Sequence, residues 1–588
     1  MNYNAQMSGK IKKIFTILLA SLLLPLSPSF SHASSGSSWI PTTPLDDDPT
    51  FHSVTFQDFL PLEFNYSVLR SSNQQGQFVC TSTSDANCAS NSMFQYNSIL
   101  KVCQNSSDSD CIDSINTIDN SGKTTPATFL RYTVTNHLNA YPADSKTKIP
   151  AGDVPSIWNI PSAPHASGSE YAVVVGENGE VDKNGLESKT GRYLQVSLIP
   201  VKLKDFGKGK QSQAGGWENK VIPGVYYDFC RTSLRSGQNF TDCGHVNDDD
   251  CLLPTNEQGM CYAEEDFNGD PVFNVSLRLA KEPNGWIHGR ITDPNISITK
   301  ESSGNIKLSV VAGPTSVPLV RQSGLWSTLP DNLKQFWVDC FNNTLCGNWI
   351  YRGQNPTSDI IGLNQTLEGQ AKINSNVYPY AFGKRALAGM AAIAPLIGDK
   401  SNAFHKAWSF RTLTNQEMNG SDSCFTKTPG IKGIVSTNST TYSAGPPVLT
   451  DGSLQYQVAS AHYMPDGKTP FKGFYHLVMS TNTARCIYGF SSAPISASIQ
   501  VVSADGTTDV ATTSTAEKNG WLYLSATGFT FSAPTIKVKL EQQPITPVVS
   551  APITVNTKKI TITCVKGKTT KKISGTNPKC PTGYTKRK

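Results

Sequence analysis

The chain has 588 residues, 51 Lys or Arg against 45 Asp or Glu, a formal net charge of +6, and 14 Cys. With about 555 residues beyond an N-terminal leader it is too long for one hydrophobic core, so two to four domains are expected. Ten basic and no acidic residues fall in Gln542–Lys588 and three more basic residues in the leader. The remainder then holds 38 basic against 45 acidic residues, a net of −7, and the positive total says nothing about the body.

In chain order, Lys10, Lys12 and Lys13 precede an apolar run, Ile14 to Leu26, and Ser31-His32-Ala33 puts small residues at −3 and −1 of a cut after Ala33. That pattern predicts a secretory signal peptide over 1–33. No later stretch offers 18 uncharged apolar residues, and the nearest, Ala386 to Ile397, contains Pro395, so no transmembrane span is expected. Residues 34–50, rich in Ser, Pro and Asp, are expected to be disordered.

Residues 51–320 read as a large antiparallel β domain. Strand-like runs are Phe129–Val134, Tyr171–Val175, Arg192–Leu203, Val225–Phe229, Val275–Leu279, Trp286–Ile291 and Ile306–Val311. Turn residues separate them, as in Glu177-Asn178-Gly179 and Glu282-Pro283-Asn284-Gly285. An even cysteine count on an exported chain predicts structural disulfides. Near neighbours pair most simply: Cys80 with Cys88, Cys103 with Cys111, Cys340 with Cys346, Cys564 with Cys580. Cys424 and Cys486 are then left for each other, and the cluster Cys230, Cys243, Cys251, Cys261 keeps three possible connectivities.

Two polar stretches of this domain could carry chemistry. His245 lies with Asp248, Asp249 and Asp250 between Cys243 and Cys251, which reads first as a disulfide-closed surface loop. Asp266, Asn268 and Asp270 alternate as hard oxygen ligands do, making a candidate structural Ca²⁺ site to which Asp248–Asp250 could contribute. The twelfth-position Glu of an EF-hand is missing. No His-Glu-x-x-His, Gly-x-Ser-x-Gly, phosphate loop or dinucleotide fingerprint occurs, so no catalytic residue is assigned.

Residues 321–415 change character, and Leu329–Phe341 and Phe382–Leu396 predict a compact helical segment with Trp326, Phe336, Trp337 and Trp349 as core. The strand pattern returns over 416–541, in Tyr475–Met479, Ser498–Val502, Trp521–Ser525 and Thr535–Leu540. In the last, Ile536, Val538 and Leu540 alternate with Lys537 and Lys539, as in a half-buried sandwich strand. Glu282-Pro-Asn-Gly-Trp-Ile287 echoes Glu517-Lys-Asn-Gly-Trp-Leu522; a duplicated β module and recurrent hairpin chemistry explain this about equally well. Trp286 and Trp521 are expected in the core. The fold class expected overall is mainly β, of antiparallel sandwich type, multidomain and disulfide-rich, with a smaller helical middle.

Pro544, Pro547 and Pro552 mark 542–557 as an extended linker, reaching roughly 50 Å if polyproline-like. Residues 558–588 then predict a hairpin stapled by Cys564 and Cys580, displaying Lys566, Lys568, Lys571, Lys572, Lys579, Lys586, Arg587 and Lys588. The run Ile562-Thr-Cys-Val-Lys-Gly-Lys568 with Asn577-Pro-Lys-Cys-Pro-x-Gly-Tyr584 resembles a C-terminal module of uncharacterised secreted bacterial envelope proteins. The resemblance covers about 30 residues, implies an exported envelope protein, and brings no catalytic residue.

These readings converge on a secreted, cell-surface-associated β-rich structural or interaction protein, held by its basic tail on an anionic envelope polymer or matrix. The alternatives are a secreted glycan-active hydrolase with its site in the N-terminal β domain, and a carbohydrate-binding or adhesion protein. Nucleic acid is not an expected partner, because the tail lacks aromatics interleaved with its charges.

Overall fold

The computed structural model describes residues within 51–542 and 559–588; segments 57–65, 206–217, 220–228, 245–251, 336–349 and 353–374, with shorter gaps, lie outside that description. Strand makes up 55% and helix 8%, the mainly β class expected. The chain divides into two compact units, Met1–Gln542 and Gln543–Lys588.

One sheet of 15 described strands organises the body. Tyr171–Val175 shows why: five consecutive apolar residues are all buried, so both faces of the strand Glu170–Asp182 are covered. A near-continuous apolar run is what a doubly covered strand requires. That strand pairs with Met93–Ile99 on one side and Glu187–Asp205 on the other. The sheet continues through Ser409–Thr412, Gly285–Arg290, Ile431–Thr437, Lys472–Ser480 and Trp521–Thr530 to the edge strand Thr512–Lys518. Gly285–Arg290 and Ile431–Thr437 run parallel; their neighbours are antiparallel.

Two smaller sheets cover opposite faces of this one. Leu194, Val196, Phe410, Ile287 and Ile434 share a core with Ile115, Val275, Leu277 and Val310, from the sheet that contains Cys111–Ile118, Val272–Leu279 and Ile306–Gly313. Val435, Leu477 and Leu524 instead meet Leu454, Val458, Val501 and Val538, from the sheet built on Ser453–Ala459, Ile495–Val502 and Thr535–Gln542. Ile434 and Val435 are neighbours in one strand and so face opposite sides. The large sheet is therefore the middle layer of a three-layer sandwich, its covers staggered along it.

Several expectations are corrected by this architecture. Boundaries at 320/321 and 415/416 do not separate compact units, because Ser409–Thr412 is a central strand: Arg411 stands opposite both Gln195 and His288. Among the described residues of 321–415 helix is a minor part: the helix Lys384–Ile393 and the 3-10 turn Ala394–Ile397, which contains Pro395, occur along with the strands Ile350–Arg352, Ser375–Val377 and Ala403–Ala407. Asp331, Lys334 and Gln335 are helical, while Phe336, Trp337 and Trp349 lie outside the described residues.

Asn178-Gly179 is not a turn. It lies inside the strand Glu170–Asp182, where a Cβ on Gly179 would sit 2.8 Å from the Tyr96 hydroxyl, so glycine makes room for that ring. The echo around Trp286 and Trp521 is not a duplicated hairpin. Thr512–Lys518 and Trp521–Thr530 form a true hairpin, with Asn519 and Gly520 both at positive φ as a type I′ turn requires, whereas Gly285–Arg290 and the preceding strand Val272–Leu279 belong to different sheets. Trp286 is fully buried and Trp521 packs at the margin of a core.

Cys80–Cys88, Cys103–Cys111, Cys424–Cys486 and Cys564–Cys580 are bonded as the spacing predicts. Cys261 is in a disulfide, and Cys230 stands opposite Cys243 in a strand pair. Cys251, Cys340 and Cys346 lie outside the described residues, and no described cysteine is free. Disulfides of this number fit folding in an oxidising, non-cytoplasmic compartment. Among the described residues no helix is long and apolar enough to cross a membrane. The leader 1–33, residues 34–50 and nearly all of the linker 542–557 are outside the description.

The second unit is a three-stranded sheet in the order Thr569–Gly575, Ile560–Lys566, Thr585–Lys586. Gly567 has φ 59 and Lys568 does not share the left-handed region, the signature of a type II′ hairpin turn. Among its described residues only Ile562 and Cys564 are buried, so the Cys564–Cys580 bond takes the place of a core there.

Candidate functional site

In the body, ionisable side chains that leave the surface are matched to partners. The strand Met260–Glu264 delivers two consecutive carboxylates that diverge. Glu264 accepts from His405 Nε2 at 2.7 Å, and Glu265 accepts from His165 Nδ1 at 2.7 Å, from the Ser167 hydroxyl at 2.6 Å and from Lys202 Nζ at 3.1 Å. Burial alone would raise the Glu265 pKa, but the bonds from Ser167, His165 and Lys202 outweigh it and hold it at about 2.

Ser167, His165 and Glu265 have the composition of a catalytic triad but not its connectivity. The serine hydroxyl donates to the carboxylate instead of the imidazole, and His165 Nε2 is bonded to the Glu170 carbonyl at 2.9 Å. No ring nitrogen is left to take a proton from a nucleophile.

A second cluster centres on Glu177. Tyr96 donates to its Oε1 at 2.8 Å, Arg192 Nη1 lies 3.4 Å away, and Arg192 also pairs with Glu187. Burial, reinforced by the nearby Asp110 carboxylate and opposed by Arg192, raises Glu177 to about 7; burial likewise raises Asp110. A carboxylate near neutrality suits acid–base chemistry, yet every donor here belongs to the framework: Arg192 holds the Thr147 and Lys148 carbonyls, and Asp110 caps the Ala280 N–H.

A third lies inside the core. Arg411 and Glu417 form a bidentate pair at 2.6 and 2.8 Å, with Arg411 over the Phe382 ring. Burial pushes Glu417 up, and the Arg411 charge overrides it to hold the carboxyl below its usual value. His288, driven down to about 3 by burial and by Arg411, stays neutral at ordinary pH against Gly445 and Tyr456.

The Ca²⁺ candidates are exposed, but Asp270 pairs with Lys406 at 2.8 Å, and Lys406 also donates to the Gly269 carbonyl. A lysine ammonium thus meets one of the three candidate side chains, Asp270. Among the described residues no group of three or more His, Cys, Asp or Glu is placed to hold a metal, and His245 with Asp248–Asp250 lies outside them. Sequence reading missed Glu177, Glu265, Glu417 and their partners. Contacts such as Glu264 to His405, 141 residues apart, leave no local signal.

The C-terminal unit differs. Lys566, Lys568, Lys571, Lys572, Lys579, Lys586, Arg587 and Lys588 are all exposed, as is Lys559, with no acidic residue in 559–588. Lys571 Nζ sits 5.6 Å from the centre of the half-buried Tyr584 ring. The eight cations do not form one patch: the register puts Lys566, Lys571 and Lys586 on the face that carries Cys564, and Lys572 on the other. Neither a protein-family model nor a curated protein matches the chain.

Proposed function

We propose that this is a secreted, surface-associated β-rich interaction protein whose C-terminal module retains it on an anionic envelope polymer. The observation that carries this reading is the set of nine exposed cations, without one acidic residue, on a sheet stapled by Cys564–Cys580. Surface cations in a segment that contains no Asp or Glu can exchange counterions for a polyanion. The resemblance of residues 562–584 to a module of secreted bacterial envelope proteins points the same way, and the disulfides fit the compartment.

For the glycan-active alternative, the buried carboxylates described within 51–320 that carry a shifted pKa, Glu177 and Glu265, are each bonded to framework donors. The test is cell fractionation. High salt should strip the full-length protein from the envelope, and deletion of 559–588 should send it to the medium, because exposed charge contacts are screened within about 8–10 Å at physiological salt. Retention that survives both treatments would refute the reading.

A further inference from the structure

We infer that the body carries a platform for an uncharged polysaccharide chain on the two outermost strands of its middle sheet, at the rim where the cover sheet stops. The cover sheet that contains Cys111–Ile118 ends at the strand Thr292–Lys300. That strand lies over Lys472–Ser480, where His476 Nε2 is 3.5 Å from Asp293 Oδ1. It reaches the next strand outward through Asn295, whose Oδ1 accepts from the Tyr523 hydroxyl at 2.8 Å. The middle sheet runs one strand further, to Thr512–Lys518, which is exposed at all seven positions.

Register fixes what this rim presents. Leu522, Leu524 and Ala526 are buried in the core on the opposite face, so Trp521, Tyr523, Ser525 and Thr527 point to the side where the cover ends, and each is half-buried there. Their partners on the edge strand are Lys518, Ala516, Ser514 and Thr512. Two aromatic rungs are thus followed by two hydroxyl rungs, spaced about 6.8 Å apart. Ala516 beside Tyr523 leaves the outer flank of that ring clear, and the bond to Asn295 holds its inner end. Ser514 and Ser525 share a hydrogen bond of 2.7 Å. On the inner side of that rung His476 stands opposite Ser525, with Asp293 next to it. Asp293, at φ 45 in the register shift between Thr292 and Asn295, turns its carboxylate to solvent, 88% exposed.

The occupant follows from this chemistry. The four cross-strand pairs of the floor hold one formal charge, Lys518, at their end, so a polyanion or an anionic bilayer gains almost nothing here. Two rings among hydroxyls also fall short of the apolar centre that a protein partner buries. A pyranose chain with equatorial linkages has flat C–H faces and hydroxyls around its edges. Its faces match the Trp521 and Tyr523 rings, while its hydroxyls donate to Asp293 and exchange hydrogen bonds with Ser514 and Ser525. Because the tail alone accounts for retention in the reading above, this polysaccharide belongs to a surface other than the cell's own envelope.

The experiment measures depletion isotherms of the full chain on amorphous cellulose and on chitin at about 1 M salt, where screening within about 3 Å silences the tail. Saturable binding to at least one of the two is expected. Ala516→Arg puts a long side chain beside the Tyr523 ring on an exposed strand and should weaken binding about tenfold or more. Thr515→Arg, its neighbour on the opposite face, should leave binding unchanged. Trp521→Ala, with its melting checked beside it, should lose at least as much as Ala516→Arg. Deletion of 559–588 should have no effect, which separates this inference from the retention reading. No saturable binding by the parent, equal affinities of the parent and Ala516→Arg, equal losses in Ala516→Arg and Thr515→Arg, or loss of binding on deletion of 559–588 would overturn the inference.

Discussion

In the body, Arg411 meets Glu417, Arg278 meets Asp113 and Glu301, and Lys281 meets Glu187, whereas in 559–588 nine cations face solvent with no carboxylate in their own unit. The first region must bury both faces of a wide sheet, so any charge caught between layers has to be neutralised where it stands. The second buries, among its described residues, only Ile562 and Cys564 and relies on a covalent bond, so its charges are released from structural duty. Composition already separates the two regions by sign, ten basic and no acidic residues in 542–588 against a net of −7 in the remainder. The partner geometry adds that the body's buried charges are paired.

The largest effect should come from breaking a body pair. Glu417→Ala strands the Arg411 guanidinium in the core and should destabilise the body by about 3–5 kcal/mol, read as a fall in Tm and in the denaturant midpoint. A shift near zero would mean the pair is not structural. Next is the staple. Cys564→Ser opens a bridge with sequence separation 16, a loss of about 3 kcal/mol to a unit with almost no core, so trypsin should cut within 559–588 while the melting of the body is unchanged.

A pH titration distinguishes two carboxylates of opposite sign. Glu265 is depressed to about 2, so its contribution is complete above the ordinary Glu pKa near 4.3 and is lost as pH falls toward 2. Glu265→Gln should flatten the acid limb. Glu177 is raised to about 7, so the folded state holds its proton where the unfolded state has lost it, and stability declines as pH rises from about 4.3 to 7. Glu177→Gln should remove that decline; an unaltered pH profile in both variants would contradict the paired-charge account. The smallest effect is expected in the tail, where Lys572→Gln should change the unfolding free energy by less than about 0.5 kcal/mol, read in a denaturant melt.

The strands were legible where burial leaves a periodic trace. Thr535–Leu540 alternates because one cover sheet shields one face, and Tyr171–Val175 is continuous because two do. The described neighbouring cysteines, Cys80 with Cys88, Cys103 with Cys111 and Cys564 with Cys580, likewise disclosed their bonds. What could not be read was the layering. Ser409–Thr412 is four residues long and looks like the end of a helical region, yet it joins the two halves of the central sheet through partners more than 100 residues away. Asn178-Gly179 carried a turn signature because only the structure reveals that glycine is needed there to admit Tyr96. The polar clusters were hidden for the same reason: Glu265 and His165 are separated by 100 residues. In the tail, local spacing sufficed for the hairpin but not for the division of its cations between two faces.

The central claim is that the tail's charges act outward while the body's act inward. The most direct measurement is the salt dependence of binding to isolated envelope material, for the full chain and for a variant with Lys566, Lys568, Lys571, Lys572, Lys579, Lys586, Arg587 and Lys588 replaced by Gln. The account predicts a steep log–log slope of about −6 to −8 for the parent with all nine cations engaged, a nearly flat one for the variant, and equal Tm for both. Equal slopes, or a variant that binds as well as the parent, would contradict it.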